Sequence, residues 1–498
     1  MGRRRWAVLA VLCASLLLVA MDATILNVAL PSLIDELRPD ARAQLWIIDV
    51  YGLVLGGLLI ASGALSDRWG RKLLFLSGFV LFGVASVVAA TADTPAQLIG
   101  GRVLLGVGGA MVMPSTLSLI RHVFTDPRER ATAIGVWAAV AGAGASVGPL
   151  IGGFLVERYS WSAAFWVNVP VVVVTVVAGL WLLPESRDPR PGRLDWPGVA
   201  MSITGVVSLA WGIKRVAKGS LAPDDLAVLA LGLLLLGTFA RRQLHLEYPL
   251  LDVRLFRNRV FSAAALCIFM AMLAIGAALY LVSLWLQYVH GYSPFEAGLR
   301  TVPAALAGLA GALLAPRLMS RVDVRLLLVT GLGTMAAGFA LLTVTPTPTP
   351  YLAIAVMLAA VGFGDGLAIT SATSVLVSAV PPNRAGQAGA VSESSYEMGV
   401  GFGVALLGTV HGALFTSRMT GLPLAGAELR EARGSIGGAE HVGQRIGGER
   451  GTAVLEAARD AFDSALVTTA WASVGIVLAV MAVTAMLVPT GFRATPAH

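Results

Sequence analysis

Apolar residues in this chain come in runs of about twenty, separated by short polar stretches rather than alternating with them. A run of that length is what a helix needs to cross the hydrocarbon core of a bilayer, whereas barrel strands would show shorter alternating segments. The pattern predicts spanning helices at 6–30, 45–65, 73–92, 96–120, 131–156, 163–183 and 196–213. It predicts seven more at 226–240, 260–289, 295–318, 326–344, 351–377, 386–415 and 465–488, fourteen in all. The seventh and eighth are a shorter pair, and boundaries of this kind shift by about four residues.

Composition agrees with that pattern and narrows it. Of 498 residues 56% are hydrophobic and 13% charged, with a mean hydropathy of +0.78. A soluble chain would carry roughly 25% charged residues, so no solvated surface can be built from this inventory. Backbone groups in lipid need internal partners, which leaves an all-α integral membrane protein. The start, MGRRRWAVLAVLCASLLLVAMDA, is similar to a signal peptide, but its apolar stretch runs on past Asp22 and is read as the first span. The net charge of +7 does not point to nucleic acid, because the basic residues sit in short loops rather than on one face or tail. Cys13 and Cys267 lie in separate apolar runs and make neither a disulfide framework nor a metal site.

Lys and Arg set the orientation. With the N-terminus in the cytosol, Arg3, Arg4, Arg5, Arg68, Arg71, Lys72, Arg128 and Arg130 all fall inside, as do Arg241, Arg242, Arg321 and Arg384. Both termini are then cytosolic, in a multi-pass protein of the cell (plasma) membrane. The segment 184–259 reads as an insert carrying two spans, with six spans before it (1–183) and six after it (260–498). Residues 416–464 break the rhythm as a long outer loop, rich in glycine. Its second part, TAVLEAARDAFDSAL, has apolar residues at helical spacing. A helical excursion and a plain loop are both open readings of it.

Between the second and third runs lies GALSDRWGRK, residues 63–72. Asp67, Arg68, Arg71 and Lys72 crowd one tight turn spaced by Gly63 and Gly70. This order resembles the signature loop of the major facilitator superfamily of transporters. The resemblance implies two six-helix bundles, here with two inserted helices, working by alternating access around a midplane site. Four further stretches extend it. Arg102 opens RVLLGVGGA inside the fourth run, where a lone guanidinium is costly and must pair with an acid or face water. The fifth run reads AVAGAGASVGPLIGG, whose Gly148, Pro149 and Gly152 permit bending and close packing. Its GPxxGG arrangement resembles the motif of proton-driven exporters. MDATILNVALP in the first run and WVNVP in the sixth resemble the fourteen-helix drug:proton antiporter family.

Asp22, Asp49, Asp365, Glu393 and Glu397 all lie within predicted spans. Acids facing lipid are expensive, so each is expected inside the protein and functional. Asp22 stands near Thr24 and Asn27, which are expected to tune its proton affinity by hydrogen bonds. Glu393 and Glu397, four apart, share a helix face. Their context, VSESSYEMG, and WIIDVYGLVLGG around Asp49 resemble the subfamily that expels quaternary ammonium biocides; Ser392 takes a place often held by an acid there. For Asp365, in GFGDGLAI, a structural bond to a helix backbone and a transport role are both open. Trp46, Trp137, Phe165, Trp166, Trp285, Tyr288 and Tyr396 offer ring faces to a cation, or simply pack.

The resemblance implies a monomeric proton-coupled efflux antiporter, not an enzyme, with lipophilic and cationic small molecules as substrates, protons and the lipid bilayer as its other partners, and no cofactor. No phosphate loop, zinc pattern or nucleophile constellation appears in the sequence, and the six histidines are scattered. A dedicated exporter of one antibiotic, siderophore or lipid is the alternative. A polytopic membrane enzyme or a channel would fit the topology but not the motifs.

Overall fold

The computed structural model describes residues 2–187, 195–217, 222–247, 249–319, 321–344, 350–380, 385–420, 422 and 424–490. All of its regular structure there is helical: α1 (Gly2–Leu37), α2 (Ala41–Trp69), α3 (Arg71–Ala90), α4 (Pro95–Val123), α5 (Pro127–Arg158), α6 (Ala163–Trp166) and α7 (Asn168–Leu182) come first. Two helices follow, α8 (Trp196–Ala217) and α9 (Pro223–Gln243). The rest are α10 (Arg259–Leu284), α11 (Pro294–Met319), α12 (Val324–Val344), α13 (Tyr351–Ser378), α14 (Ala385–Gly403), α15 (Thr409–Arg418), α16 (Gly426–Gly434), α17 (Ile436–Ile446) and α18 (Gly448–Leu487). Single π-helical turns extend α10 through Trp285–Val289 and join α14 to α15 through Val404–Gly408.

Local signals start the helices where the sequence permits. Asp40 caps α2 by accepting from the Ala43 amide at 2.7 Å, and Thr94 caps α4 at Gln97 with Pro95 in the first turn. Asn258 caps α10 and Ser435 caps α17 in the same way. Among the described residues thirteen segments are long and apolar enough to cross a bilayer. They match thirteen of the fourteen predicted runs, and the remaining one, the fifth, lies in the 32-residue α5.

Three boundaries depart from the hydropathy reading. The sixth span is split into α6 and α7 at Val167, which places Asn168 at the head of the longer piece. The last span begins not at 465 but at Gly448, in a continuous 40-residue helix. Hydropathy sees only its apolar part; the earlier turns are amphipathic and bury Val454, Ala458, Ala461 and Phe462. Residues 416–464 accordingly form helices over most of their length, as α16, α17 and the first turns of α18.

Small residues set the packing, as expected where lipid removes any hydrophobic drive between helices. A Cβ on Gly108 of α4 would sit 2.8 Å from the Gly78 carbonyl of α3. Gly362 and Gly366 of α13 press on Ala304 and Gly308 of α11, while Gly364 presses on Gly331 of α12.

Candidate functional site

Arg102 has the acid that its burial demands. Its Nη1 donates to Asp22 Oδ2 at 2.8 Å, with both side chains closed off from solvent. Nε and Nη2 donate to the carbonyls of Ile47 and Ile48 on α2, at 3.1 and 3.4 Å. The guanidinium carbon lies 4.5 Å from the centre of the Tyr51 ring. Asp22 is completed from a third helix: Asn168 Nδ2 donates to its other oxygen at 2.9 Å and also reaches Ser86 Oγ at 3.1 Å. Five helices, α1, α2, α3, α4 and α7, thus meet in one buried polar network, roofed by Tyr51.

The expected tuning of Asp22 by Thr24 and Asn27 is not what the structure holds. Thr24 Oγ1 donates to its own helix, at the Met21 carbonyl, 3.2 Å away. The Asn27 carbonyl accepts from Ser283 of α10 at 2.6 Å. Residues two and five apart on a helix point to different faces, so nearness in sequence did not bring them to Asp22. Asn168 takes that place from 146 positions away. An Asn inside an apolar run was its signal.

The other acids lie on α2, α13 and α14. Asp49 of α2 is buried, and its carbonyl would lie 3.3 Å from a Cβ on Gly401 of α14. Glu397 of α14 stacks on α2 the same way: a Cβ on Gly52 would meet its carbonyl at 3.2 Å and its carboxylate at 3.7 Å. Glu393, one turn earlier, is half-buried. Asp365 of α13 has Oδ1 buried and without a hydrogen-bond partner among the described residues. The glycines around it pack on α11 and α12, so they wedge the helix rather than bind the acid. Tyr51 and Gly52 are neighbours on α2, so one stretch of that helix meets both Arg102 and Glu397. Ser392 Oγ pairs with Thr373 Oγ1 at 3.0 Å.

The aromatic candidates divide. Tyr51, which composition did not single out, lies at the network. Trp137 donates to Thr116 Oγ1, Trp285 donates to Asp463 Oδ1 at 2.9 Å, and Phe165 packs edge-on against Trp161. Tyr288 donates to the Pro31 carbonyl and Asp35 Oδ1, each at 3.3 Å, and Trp166 is exposed.

The glycine stripe of α5 works on two sides. Cβ atoms on Gly144, Gly148 and Gly152 would strike Leu17, Thr24 and Ile25 of α1. The Pro149 carbonyl and Gly153 meet Gly298 and the Pro294–Phe295 backbone of α11. In the charged turn, Gly63 faces Pro114 and Arg68 is exposed. Gly70 adopts φ 113°, where an L side chain is strained, and a Cβ there would collide with the Glu185 carboxylate. Arg71 donates from its amide to the Ser186 carbonyl at 2.8 Å and from Nη1 to Ser186 Oγ at 3.1 Å. The turn is docked on the segment leaving α7. Asp67 belongs to α2, but its side chain lies outside the described residues.

This architecture has known counterparts. The Major Facilitator Superfamily model matches residues 12–415. The chain belongs to the major facilitator superfamily. It is 39% identical over 482 residues to the multidrug efflux pump LfrA of Mycolicibacterium smegmatis, covering 96% of this chain and 95% of that one. It is 36% identical over 462 residues to the methyl viologen resistance protein SmvA of Salmonella typhimurium, covering 92% and 93%. It is 36% identical over 412 residues to the puromycin resistance protein pur8 of Streptomyces alboniger, covering 82% of each. Its fold superposes on an inward-facing bacterial homologue of the lysosomal transporter Spinster with a TM-score of 0.68 at 19% identity, over 98% and 97% of the two chains. This chain is thus a membrane transporter with the major facilitator fold.

Proposed function

We propose that this chain is a proton-driven efflux antiporter that moves lipophilic, cationic drugs out across the plasma membrane. The observation that carries the reading is the buried Asp22–Arg102 pair, whose guanidinium bonds to the Ile47 and Ile48 carbonyls of α2, the helix on which Glu397 packs at Gly52. A carboxylate held against a fixed arginine can release that arginine when protonated, which changes what Tyr51 and α2 feel. Protonation in one bundle is thereby tied to the charge presented to a cation by Glu393 and Glu397 in the other. The relatives' named roles, in multidrug efflux and in resistance to methyl viologen and puromycin, support export as the direction.

The bundles divide at 183 and 260, with 184–259 as the insert, and the protein works as a monomer. Contacts between the two sets of helices gather at the end where α1 turns into α2. Ser283 reaches Asn27, Gln287 reaches the Val28 carbonyl at 3.2 Å, and Ser293 reaches Glu157 at 2.7 Å. At the other end Arg5 pairs with Glu129 and Asn258 bonds to Ala379, each within one set. With the termini in the cytosol, as the positive loops favour, this is a state closed outside and open inside.

Reconstitution into proteoliposomes with an imposed pH gradient tests the reading. A membrane-partitioning cationic dye and methyl viologen should both move against their gradients, and should stop when the gradient is collapsed. Export of one compound alone would make the protein a dedicated exporter. Flux indifferent to the gradient would overturn proton coupling.

A further inference from the structure

The hairpin α8–α9 stands outside both bundles, yet α8 bridges them. It packs chiefly on α2 of the first bundle and on the π-helical turn Val404–Gly408 and α15 of the second. Trp211 of α8 lies 5.6 Å from Trp46 of α2, ring centre to ring centre. Val206 and Ala210 are buried in one apolar cluster with Val50 and Leu53 of α2 and with Phe402 and Leu407 of the second bundle. The edge where α2 meets α14 is therefore covered on its membrane side.

The cover is itself braced. A Cβ on Gly232 of α9 would lie 2.8 Å from Leu209 Cα of α8, and one on Gly212 would lie 2.6 Å from Leu229 Cα, so the two backbones run in close contact. At one end Arg215 pairs with Asp225 at 3.1 Å. At the other, buried Asp195 accepts from Arg242 Nε at 2.9 Å and from Gln243 Nε2 at 2.8 Å. Leu233 and Leu234 of α9 face outward, as lipid-facing residues do.

The opposite edge, between α5 and α11, has no such cover among the main packing partners of α8 and α9. There the bundles touch at Gly153 and Gly298, toward the closed end, while Leu306, Leu309 and Leu313 further along α11 are exposed. We propose that the α8–α9 hairpin shuts the α2–α14 edge to the bilayer, so that membrane-dissolved substrates enter between the bundles along the α5–α11 edge. This rests on the efflux reading above. A water-soluble dication, which does not reside among acyl chains, has no need of that route and enters from the aqueous opening.

The test is single-site blockade in proteoliposomes. Leu306→Cys on α11 and Thr204→Cys, exposed on α8, are each labelled with a bulky maleimide. Export of a membrane-partitioning cationic dye and of methyl viologen is then measured. The label at 306 should slow dye export about fivefold or more and leave methyl viologen within about twofold, while the label at 204 changes neither. Equal loss of both compounds at 306 would overturn the inference, because bulk there would be jamming the machine. Dye loss at 204 would overturn it as well, with efflux itself intact. If the unlabelled protein exported neither compound, the efflux reading and this one would fall together.

Discussion

Arg102 Nη1 and Asp22 Oδ2 lie 2.8 Å apart at a point where neither side chain reaches solvent. Such a pair gains little net stability over an apolar substitute, since both ions were stripped of water to form it. Breaking it is another matter, because the remaining charge is left stranded.

Asp22→Asn keeps the shape of the acid and strands Arg102. The variant should abolish proton-driven export of every substrate and lose about 3–5 kcal/mol of stability. Adding Arg102→Gln removes the stranded charge, so the double variant should recover much of the melting temperature in detergent and none of the transport. Recovery of transport along with stability would reduce the pair to a structural role.

Glu393→Gln keeps size and loses charge. Affinity for methyl viologen, a dication, should fall about tenfold, and affinity for an uncharged drug by less than about twofold. Efflux kinetics of the two compounds, with expression checked, decide this. Equal losses would mean that Glu393 serves coupling rather than selectivity.

Gly148→Leu forces a side chain into Thr24 and the Met21 carbonyl, which lies 2.9 Å from where a Cβ would sit. Rigid backbone on the facing helix leaves no room to yield, so overpacking should cost about 1–3 kcal/mol and export should drop at least about tenfold. Gly389→Ala, with open space around it, is the control and should transport normally.

Gly70→Ala tests the docking of the charged turn. The residue needs φ 113°, and its Cβ would displace the Glu185 carboxylate. Strain of about 1–3 kcal/mol falls on the very turn that must move, so turnover should slow several-fold with insertion unchanged. Wild-type turnover by a well-expressed variant would mean that docking of the turn on Glu185 and Ser186 does not limit transport.

His290, just past the π-helical turn of α10, has its pKa lowered by burial first; Asp463 opposes that shift and Arg300 adds to it. Its neutral form is the folded one, so the unfolded chain binds the extra proton. Stability should therefore fall as pH drops through about 6.5 and below. Melting curves at pH 7.5 and 5 should differ less for His290→Phe, which keeps the ring contact with Trp285. An unchanged difference would assign the acid sensitivity elsewhere.

Part of the site was legible in the sequence. A guanidinium in the fourth span had to find an acid, and the glycines at 144, 148 and 152 had to bring a backbone close. Both follow from the cost of polar atoms in lipid and from helical spacing. Asn168 and Tyr51 carried weaker signals, since one polar atom in an apolar run says that a partner exists without saying which. The helical content of 416–464 was half legible, because its apolar residues had the period of a helix but its hydropathy did not reach that of a span.

The sequence alone determined that this chain is helical, that it crosses a bilayer, and roughly where each span lies. Each of these depends on local composition, read over about twenty residues at a time. The tertiary structure alone decided that Asp22 answers to Arg102 and to Asn168, 80 and 146 positions away, rather than to Thr24 beside it. It also decided that α8 lies across α2 and α14, and that α5 presents one glycine face to α1 and the next to α11. Many acids and many small faces could have satisfied the same local demands. Which ones meet is settled only when all the helices pack at once, because burial and pairing are properties of the assembled bundle and not of any one span.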